Sequence, residues 1–125
     1  MMNKKRPKHL ALHKIKLPLP GFVSILHRVS GLFLFLSLPL LLWMLYASLR
    51  SIETYTRLLD ILHHPLSKLV LIGLLWSFLH HFCAGIRYLA LDLNIGTSLA
   101  QARNSSRWVM GVSLLLTLLI GSRIC

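Results

Sequence analysis

The sequence predicts an all-α integral membrane protein with three transmembrane helices, and three observations support this prediction: apolar content, the length of the apolar blocks and a scarcity of acidic residues. Of 125 residues, 55% are hydrophobic, and three are acidic against fourteen lysines and arginines. A soluble domain of this size needs more polar surface than such a composition provides. The apolar residues fall into blocks of about 20, the length that crosses ~30 Å of hydrocarbon as a helix.

The spans are predicted over residues 22–49, 66–91 and 108–124, after a basic N-terminal arm at 1–21. Pro39 lies inside the first span, where a kink is expected. The connectors RSIETYTRLLDILHHP and DLNIGTSLAQARNSSR separate the spans. Residues 22–125 therefore form one membrane domain. Since three helices make a thin bundle, we expect it to be half of a heterodimeric helical bundle.

The positive charges indicate an orientation for the chain. The formal net charge of the chain is +11. The first connector has equal numbers of basic and acidic side chains, and the second has a small excess of basic ones. Basic residues near membrane spans favour the cytoplasmic side and anionic lipid. The sequence thus predicts a multi-pass protein of the bacterial inner membrane with a cytoplasmic N-terminus. Nucleic-acid binding is disfavoured, because no folded domain remains to present a reading element. The basic residues before the first span are Lys4, Lys5, Arg6, Lys8, Lys14 and Lys16.

Polar residues of two spans are expected at a similar depth. In SILHRVSG, Ser24, His27 and Arg28 stand at i, i+3 and i+4, and so share one helix face. His81 and Arg87 lie in the half of the second span that the charge bias places near the cytoplasm. Ionisable residues within a membrane span are costly and suggest a function by default. These five residues are the candidate site.

Each candidate has a functional and a structural interpretation. His81 can ligate haem iron or hydrogen-bond to another helix. Arg28 and Arg87 can bind carboxylates such as haem propionates, or extend to lipid phosphate. Ser24 can act with Arg28 on a quinone carbonyl, or bond to its own helix backbone. His27 can hold a propionate or relay a proton.

Small residues follow His81 by one helical turn, at Ala84 and Gly85. They offer either a flat surface for the edge of a porphyrin or a place where helices pack closely. The spacing by itself favours close packing, which is common in membrane proteins.

Catalysis by the isolated chain is not expected. The sequence has three carboxylates, no phosphate-binding glycine loop and no CxxC or CxxCH motif around Cys83 or Cys125. Covalently attached haem and a redox dithiol are therefore unsupported.

Several motifs resemble the cytochrome b subunit of succinate dehydrogenase, the larger hydrophobic anchor subunit of respiratory complex II. They are RP at 6–7, SILHRVSG at 24–31, and HFCAGIR at 81–87 with Asp92 following. With the basic arm and three spans, the resemblance covers nearly the whole chain. The family pattern often has His where this chain has Tyr88, which weakens a propionate contact there. Asp92 is expected to end the helix or to meet Arg87 or a neighbouring subunit.

The resemblance implies that His81 is one axial ligand of a b-type haem. A second anchor subunit supplies the other axial histidine. Ser24 and Arg28 contribute to a ubiquinone site beside the iron–sulfur subunit, and His27 lies near the haem propionates. Flavin and iron–sulfur clusters belong to two soluble subunits on the cytoplasmic face.

The predicted function is that of a membrane anchor of succinate:quinone oxidoreductase, in the tricarboxylic acid cycle and respiratory electron transfer. One alternative is a haem-free structural anchor of the same complex or of a fumarate-reducing one. Another is an unrelated small membrane protein whose polar cluster lines water.

Overall fold

The computed structural model describes residues 17–125, which form a bundle of helices. No strand occurs within this described range. Three of the helices are long and apolar enough to cross a bilayer, which confirms the predicted all-α membrane fold. Most of the basic arm predicted at 1–21 lies outside the described residues. The helices are α1 (Leu19–Arg50), α2 (Ile52–His63), α3 (Pro65–Asp92) and α4 (Leu99–Ile124).

The long first helix is bounded by residues that suit its two ends. Pro18 is the N-cap, and Pro20 stands in the first turn, where a backbone N–H has no partner within the helix. The helix continues through Pro39. It ends at Arg50 because Ser51 is extended, with φ −162° and ψ 162°.

The first connector contains a helix that the sequence analysis did not predict. The twelve-residue α2 is amphipathic and begins with a capping box, in which Ser51 and Thr54 each accept a hydrogen bond from the other's backbone N–H at 3.2 Å. The Thr54 hydroxyl also donates to the carbonyl of Ala47 at 2.7 Å, which ties α2 to the last turns of α1. Leu58 is buried, whereas Ile52 is 85% exposed.

Helix α3 ends at Asp92, and the turn that closes it is formed by Asn94. Asn94 has φ +59°, in the left-handed region that asparagine tolerates better than most residues. Its N–H bonds to the carbonyl of Leu91 at 2.9 Å, and the N–H of Ile95 bonds to that of Ala90 at 3.0 Å. This pair of bonds is a Schellman motif, which closes the last turn and satisfies two helical carbonyls.

The interior of the bundle is small and the exterior is apolar. α3 packs against both α1 and α4, and α1 also contacts α4. Val23, Ala84 and Val109 form the buried cluster where these helices meet. Large apolar side chains such as Phe35 and Leu118 are 67% and 71% exposed. Such a surface needs lipid or the helices of another subunit to cover it.

The face of α4 toward the bundle carries small residues, several with hydroxyl groups. Ser106, Ser113, Thr117 and Gly121 are all buried. The Ser106 hydroxyl donates to the carbonyl of Ala102 at 2.8 Å, and the Thr117 hydroxyl to that of Ser113 at 2.7 Å. Because the hydroxyls bond to their own helix, they can be buried without an unpaired donor.

The last helix begins well before the predicted third span. Ser98 caps it by accepting from the N–H of Gln101 at 3.3 Å, and helical structure starts at Leu99 rather than near Trp108. The polar residues of the second connector therefore form the first turns of α4. One of them, Ser105, contacts a candidate site residue.

Candidate functional site

The imidazole of His81 on α3 is held by the backbone and a hydroxyl of α1. Its Nδ1 lies 3.0 Å from the carbonyl oxygen of His27 and 3.2 Å from Oγ of Ser30. The Ser30 hydroxyl donates to the same His27 carbonyl at 2.8 Å. The structure thus brings together candidate residues that lie more than fifty positions apart in the sequence.

These contacts identify the tautomer of His81. A backbone carbonyl can only accept a hydrogen bond, so Nδ1 of His81 carries the proton that it shares with His27. In the neutral ring the other nitrogen, Nε2, then has a free lone pair. Histidines that ligate metals almost always donate their second ring N–H to a carbonyl, carboxylate or water in this way.

The ring of His81 lies close against the backbone of α1 at Gly31. A Cβ atom added to Gly31 would be 2.8 Å from Cε1 and 3.3 Å from Nδ1 of His81. Real Cβ atoms essentially never approach so closely. The absence of a side chain at Gly31 is therefore a requirement for this position of the His81 ring.

The ring of His27 covers one face of the His81 ring. The two centroids are 4.1 Å apart and the planes differ by 6°. Tyr88 contacts His27 from one side, at a centroid distance of 5.0 Å, and its hydroxyl is buried with no hydrogen-bond partner among the described residues. His27, Ser30, His81 and Tyr88 thus form one group of contacting side chains, the histidine cluster.

The small residues after His81 have different surroundings. Ala84 is fully buried in the cluster with Val23 and Val109, where it allows α1 and α4 to pack against α3. A Cβ atom on Gly85 would be 3.9 Å from Nε2 of His27, an ordinary contact distance. Both residues therefore lie where helices pack, as the spacing suggested.

Ser24 and Arg28 lie on α1 beside the histidine cluster. Ser24 is half-buried and Arg28 is exposed. Within residues 17–125, neither side chain makes a hydrogen bond. Because they are four positions apart on one helix, the hydroxyl and the guanidinium can both donate to one ligand placed on that face.

Arg87 is directed toward α4. Its side chain is buried, its Nε donates to Oγ of Ser105 at 2.9 Å, and its Nη2 lies 3.5 Å from the carbonyl oxygen of Ala102. The guanidinium carbon is 5.4 Å from the centre of the Tyr88 ring. Of the alternatives for Asp92, a contact with Arg87 is not present among the described residues, where the hydrogen bonds of Arg87 go to α4.

His80, next to His81, has a different environment. It is fully buried and stacks on Trp76, with ring centroids 5.1 Å apart. Neither of its ring nitrogens, nor Nε1 of Trp76, has a hydrogen-bond partner in the described part of the chain. Two consecutive histidines thus differ in role: His81 contacts polar groups of α1, and His80 fills space in the bundle.

A metal-ion site formed by this chain alone is not evident. No group of three or more His, Cys, Asp or Glu side chains within residues 17–125 could hold a metal ion. Haem requires only axial ligands from protein, since the macrocycle supplies the others. The free Nε2 of His81, with Nδ1 bonded to a carbonyl, suits that chemistry.

Two residues of the cluster were not selected as site candidates from the sequence. Ser30 stands in SILHRVSG at i+3 from His27, and this spacing was the available signal. For Tyr88 the available signal was its difference from the pattern of the family that the motifs resemble. Their contacts depend on how α1 and α3 are rotated about their axes.

Comparison with known proteins gives a consistent identification. Residues 2–120 match the family described as succinate dehydrogenase/fumarate reductase transmembrane subunit. The chain is 39% identical over 121 residues to the succinate dehydrogenase cytochrome b556 subunit of Coxiella burnetii, covering 96% of this chain and 97% of that protein.

Two further relatives carry the same name. The cytochrome b556 subunit of Rickettsia felis is 33% identical over 117 residues, covering 93% of this chain and 90% of that protein. That of Paracoccus denitrificans is 30% identical over 114 residues, covering 91% and 88%. Motifs, spans and relatives agree, and the chain belongs to the succinate dehydrogenase/fumarate reductase family of transmembrane anchor subunits.

Proposed function

We propose that this chain is the anchor subunit of a succinate:quinone oxidoreductase in a bacterial cytoplasmic membrane. In this proposal it holds a b-type haem together with a second anchor subunit and forms part of the ubiquinone-reduction site. The name cytochrome b556 of its relatives supports the haem. The observation that carries the proposal is the hydrogen bond of His81 Nδ1 to the carbonyl of His27 at 3.0 Å.

His81 is the residue that would hold the haem iron, through Nε2. The Nδ1–H of His81 is hydrogen-bonded to groups of α1, which restricts rotation of the ring. The orientation of the unbonded Nε2 is therefore restricted too. A hydrogen bond at Nδ1 also increases the basicity of the ligating nitrogen. When bound, a haem supplies a site that takes up and releases single electrons.

Ser24 and Arg28 are the residues proposed to bind ubiquinone. A hydroxyl and a guanidinium are both donors, and a quinone offers carbonyl oxygens that accept. His27 belongs to the same helical segment as these residues and stacks on His81. Its ring is therefore proposed to contact a propionate or to relay a proton. Arg87 is the least available of the proposed propionate partners, because Ser105 and Ala102 engage its guanidinium.

The remaining components belong to other chains. His81 provides one axial position, so a second histidine from a partner anchor subunit is required. The exposed apolar side chains on the long helices provide a surface on which such a subunit can pack. Succinate oxidation, flavin and iron–sulfur clusters are assigned to a soluble flavoprotein and an iron–sulfur subunit on the cytoplasmic face.

Two matched variants test this function: His81→Phe and His80→Phe, each in the purified complex. We expect His81→Phe to lose the b-type band in the reduced-minus-oxidised spectrum, because no nitrogen remains to bind iron. His80→Phe should retain it, since phenylalanine keeps the stacking on Trp76. The haem-to-flavin ratio and the subunit composition are measured together.

Two results would contradict the proposal. A full haem complement in His81→Phe would exclude His81 as a ligand. A complex of wild-type chain with flavoprotein that has no b-type band would identify a haem-free anchor instead, with His81 as a structural link between α1 and α3.

A further inference from the structure

The hydroxyl of Ser30 forms a closed triangle with the carbonyl of His27 and the ring of His81. Ser30 is 2% exposed. Its Oγ lies 2.8 Å from the His27 oxygen and 3.2 Å from Nδ1 of His81, and the third side of the triangle is 3.0 Å. A buried hydroxyl within a membrane span requires hydrogen-bond partners. Ser30 has two, the carbonyl of His27 and Nδ1 of His81.

Only one arrangement of protons satisfies this triangle. The carbonyl oxygen of His27 accepts from the Ser30 hydroxyl and from Nδ1–H of His81, and the Ser30 oxygen offers a lone pair to the same N–H. If Nδ1 were unprotonated, two acceptors would face each other at 3.0 Å, and the single hydroxyl proton could serve only one of them. The triangle therefore selects the Nδ1–H tautomer.

We propose that Ser30 is a positioning residue for His81, holding its imidazole in the rotation that keeps Nδ1 on α1 and leaves Nε2 free. This inference rests on the proposed function, because it concerns the readiness of His81 to bind haem iron. Ser30 acts through His81 and touches neither haem nor quinone. Nothing in the resemblance assigns this serine a role.

The surroundings of the ring show what Ser30 adds. The backbone at Gly31 supports one edge of the His81 ring, and the His27 ring covers one face. These contacts limit the position of the ring, but van der Waals contacts do not distinguish its two tautomers. The carbonyl of His27 does, because it can only accept, and the hydroxyl of Ser30 adds a second polar contact to the same nitrogen. Removing the hydroxyl leaves one polar partner, so the ring is held less firmly against rotation about its Cβ–Cγ bond.

The test compares Ser30→Ala with Ser37→Ala in the assembled complex. Ser37 is two turns further along α1, is half-buried, and donates to the carbonyl of Leu34 at 2.7 Å with the same i to i−3 geometry. It has no histidine among its described hydrogen-bond partners. The control therefore removes the same local bond without affecting His81.

Two measurements report on the ligand rather than on turnover. The first is the rate at which haem transfers from the oxidised complex to apomyoglobin. The second is the linewidth of the low-spin ferric EPR signal, which broadens when the ligand ring adopts a range of orientations. Loss of an outer hydrogen bond to a metal ligand typically costs 10–100-fold in affinity. For Ser30→Ala we expect roughly ten-fold faster haem loss and a broader signal, with Ser37→Ala like wild type.

Each remaining outcome bears on the inference. Wild-type release and linewidth in Ser30→Ala would overturn it, and equal effects in Ser30→Ala and Ser37→Ala would assign the change to the helix backbone. If Ser30→Ala fails to assemble, Ser30→Cys provides a similar volume with a much weaker acceptor and should show the same two changes. Haem retained in His81→Phe would instead exclude His81 as the ligand, which is the part of the proposed function on which this inference rests.

Discussion

The imidazole rings of His27 and His81 are stacked, with centroids 4.1 Å apart and planes within 6° of parallel. His27 also provides the carbonyl that accepts from Nδ1 of His81. One residue of α1 therefore supports the proposed ligand twice, through its backbone and through its ring. Because Ser24 and Arg28 belong to the same helical segment, the proposed quinone and haem residues form one mechanical unit. A shift of α1 would move both.

The contact at Gly31 predicts that a single methyl group displaces His81. In Gly31→Ala, the added Cβ would lie 2.8 Å from Cε1 of His81, so either the ring or the helix must move. We expect a marked loss of haem from the purified complex, measured as the haem-to-flavin ratio. The matched control is Gly73→Ala on α3, where no described atom lies within 4 Å of the added carbon. Equal haem content in the two variants would contradict this prediction.

Arg28 is predicted to affect quinone reduction rather than succinate oxidation. Hydrogen bonds to charged groups contribute about 1.5–3 kcal/mol, so Arg28→Leu should reduce succinate:quinone activity by about ten-fold or more. The reduction of an artificial dye by succinate depends on the soluble subunits, and its rate should be unchanged. Arg107→Leu, at another exposed arginine, serves as the control. If both activities fall together in Arg28→Leu, the variant has affected assembly and the quinone role is unsupported.

The contact between Arg87 and Ser105 is predicted to stabilise the packing of α4 on α3. Ser105→Ala leaves the buried guanidinium with its weaker contact, at 3.5 Å from Ala102. We expect the free energy of unfolding to fall by about 1 kcal/mol, seen as a lower Tm of the complex in detergent.

The neighbouring serine provides the control for that measurement. The hydroxyl of Ser106 donates to its own helix, so Ser106→Ala should change the Tm less. If the two serine variants have the same Tm, the hydrogen bond from Arg87 does not stabilise the bundle.

The turn after α3 is predicted to depend on the backbone of Asn94. Its φ of +59° is accessible to glycine without strain and costs a β-branched residue more than 1 kcal/mol. Asn94→Gly should therefore keep the wild-type Tm, and Asn94→Val should lower it. The same change at Asn104, an exposed residue in the interior of α4, should have a smaller effect. A tolerated Asn94→Val would indicate that the loop does not need this conformation.

Part of the fold and part of the candidate site could be predicted from the sequence. The spacing of Ser24, His27 and Arg28 predicted one face on α1, and the lengths of the apolar blocks predicted the three membrane-spanning helices. The helix α2 was missed, although Ser51 and Thr54 carried the spacing of a capping box. The balanced charges of that segment indicate the topology of the connector and carry no information on its local structure.

The role of Ser30 could not be obtained from the sequence. A serine anywhere on a span can donate to the backbone carbonyl three positions before it, as Ser37 does to Leu34. What distinguishes Ser30 is a ring from another helix placed 3.2 Å from its hydroxyl. Arg87 illustrates the same point: from the sequence it can bind a propionate or extend to lipid phosphate, and the early start of α4 places Ser105 and a carbonyl next to its guanidinium.

The sequence by itself determined that the chain crosses a membrane three times and that its polar groups gather at one depth. Hydrocarbon thickness and the rise of a helix leave little choice about either. Only the tertiary structure decided which way each group faces. Consecutive residues such as His80 and His81 point about 100° apart on a helix. Whether one meets a carbonyl and the other a tryptophan depends on how small residues such as Gly31 and Ala84 let the helices pack.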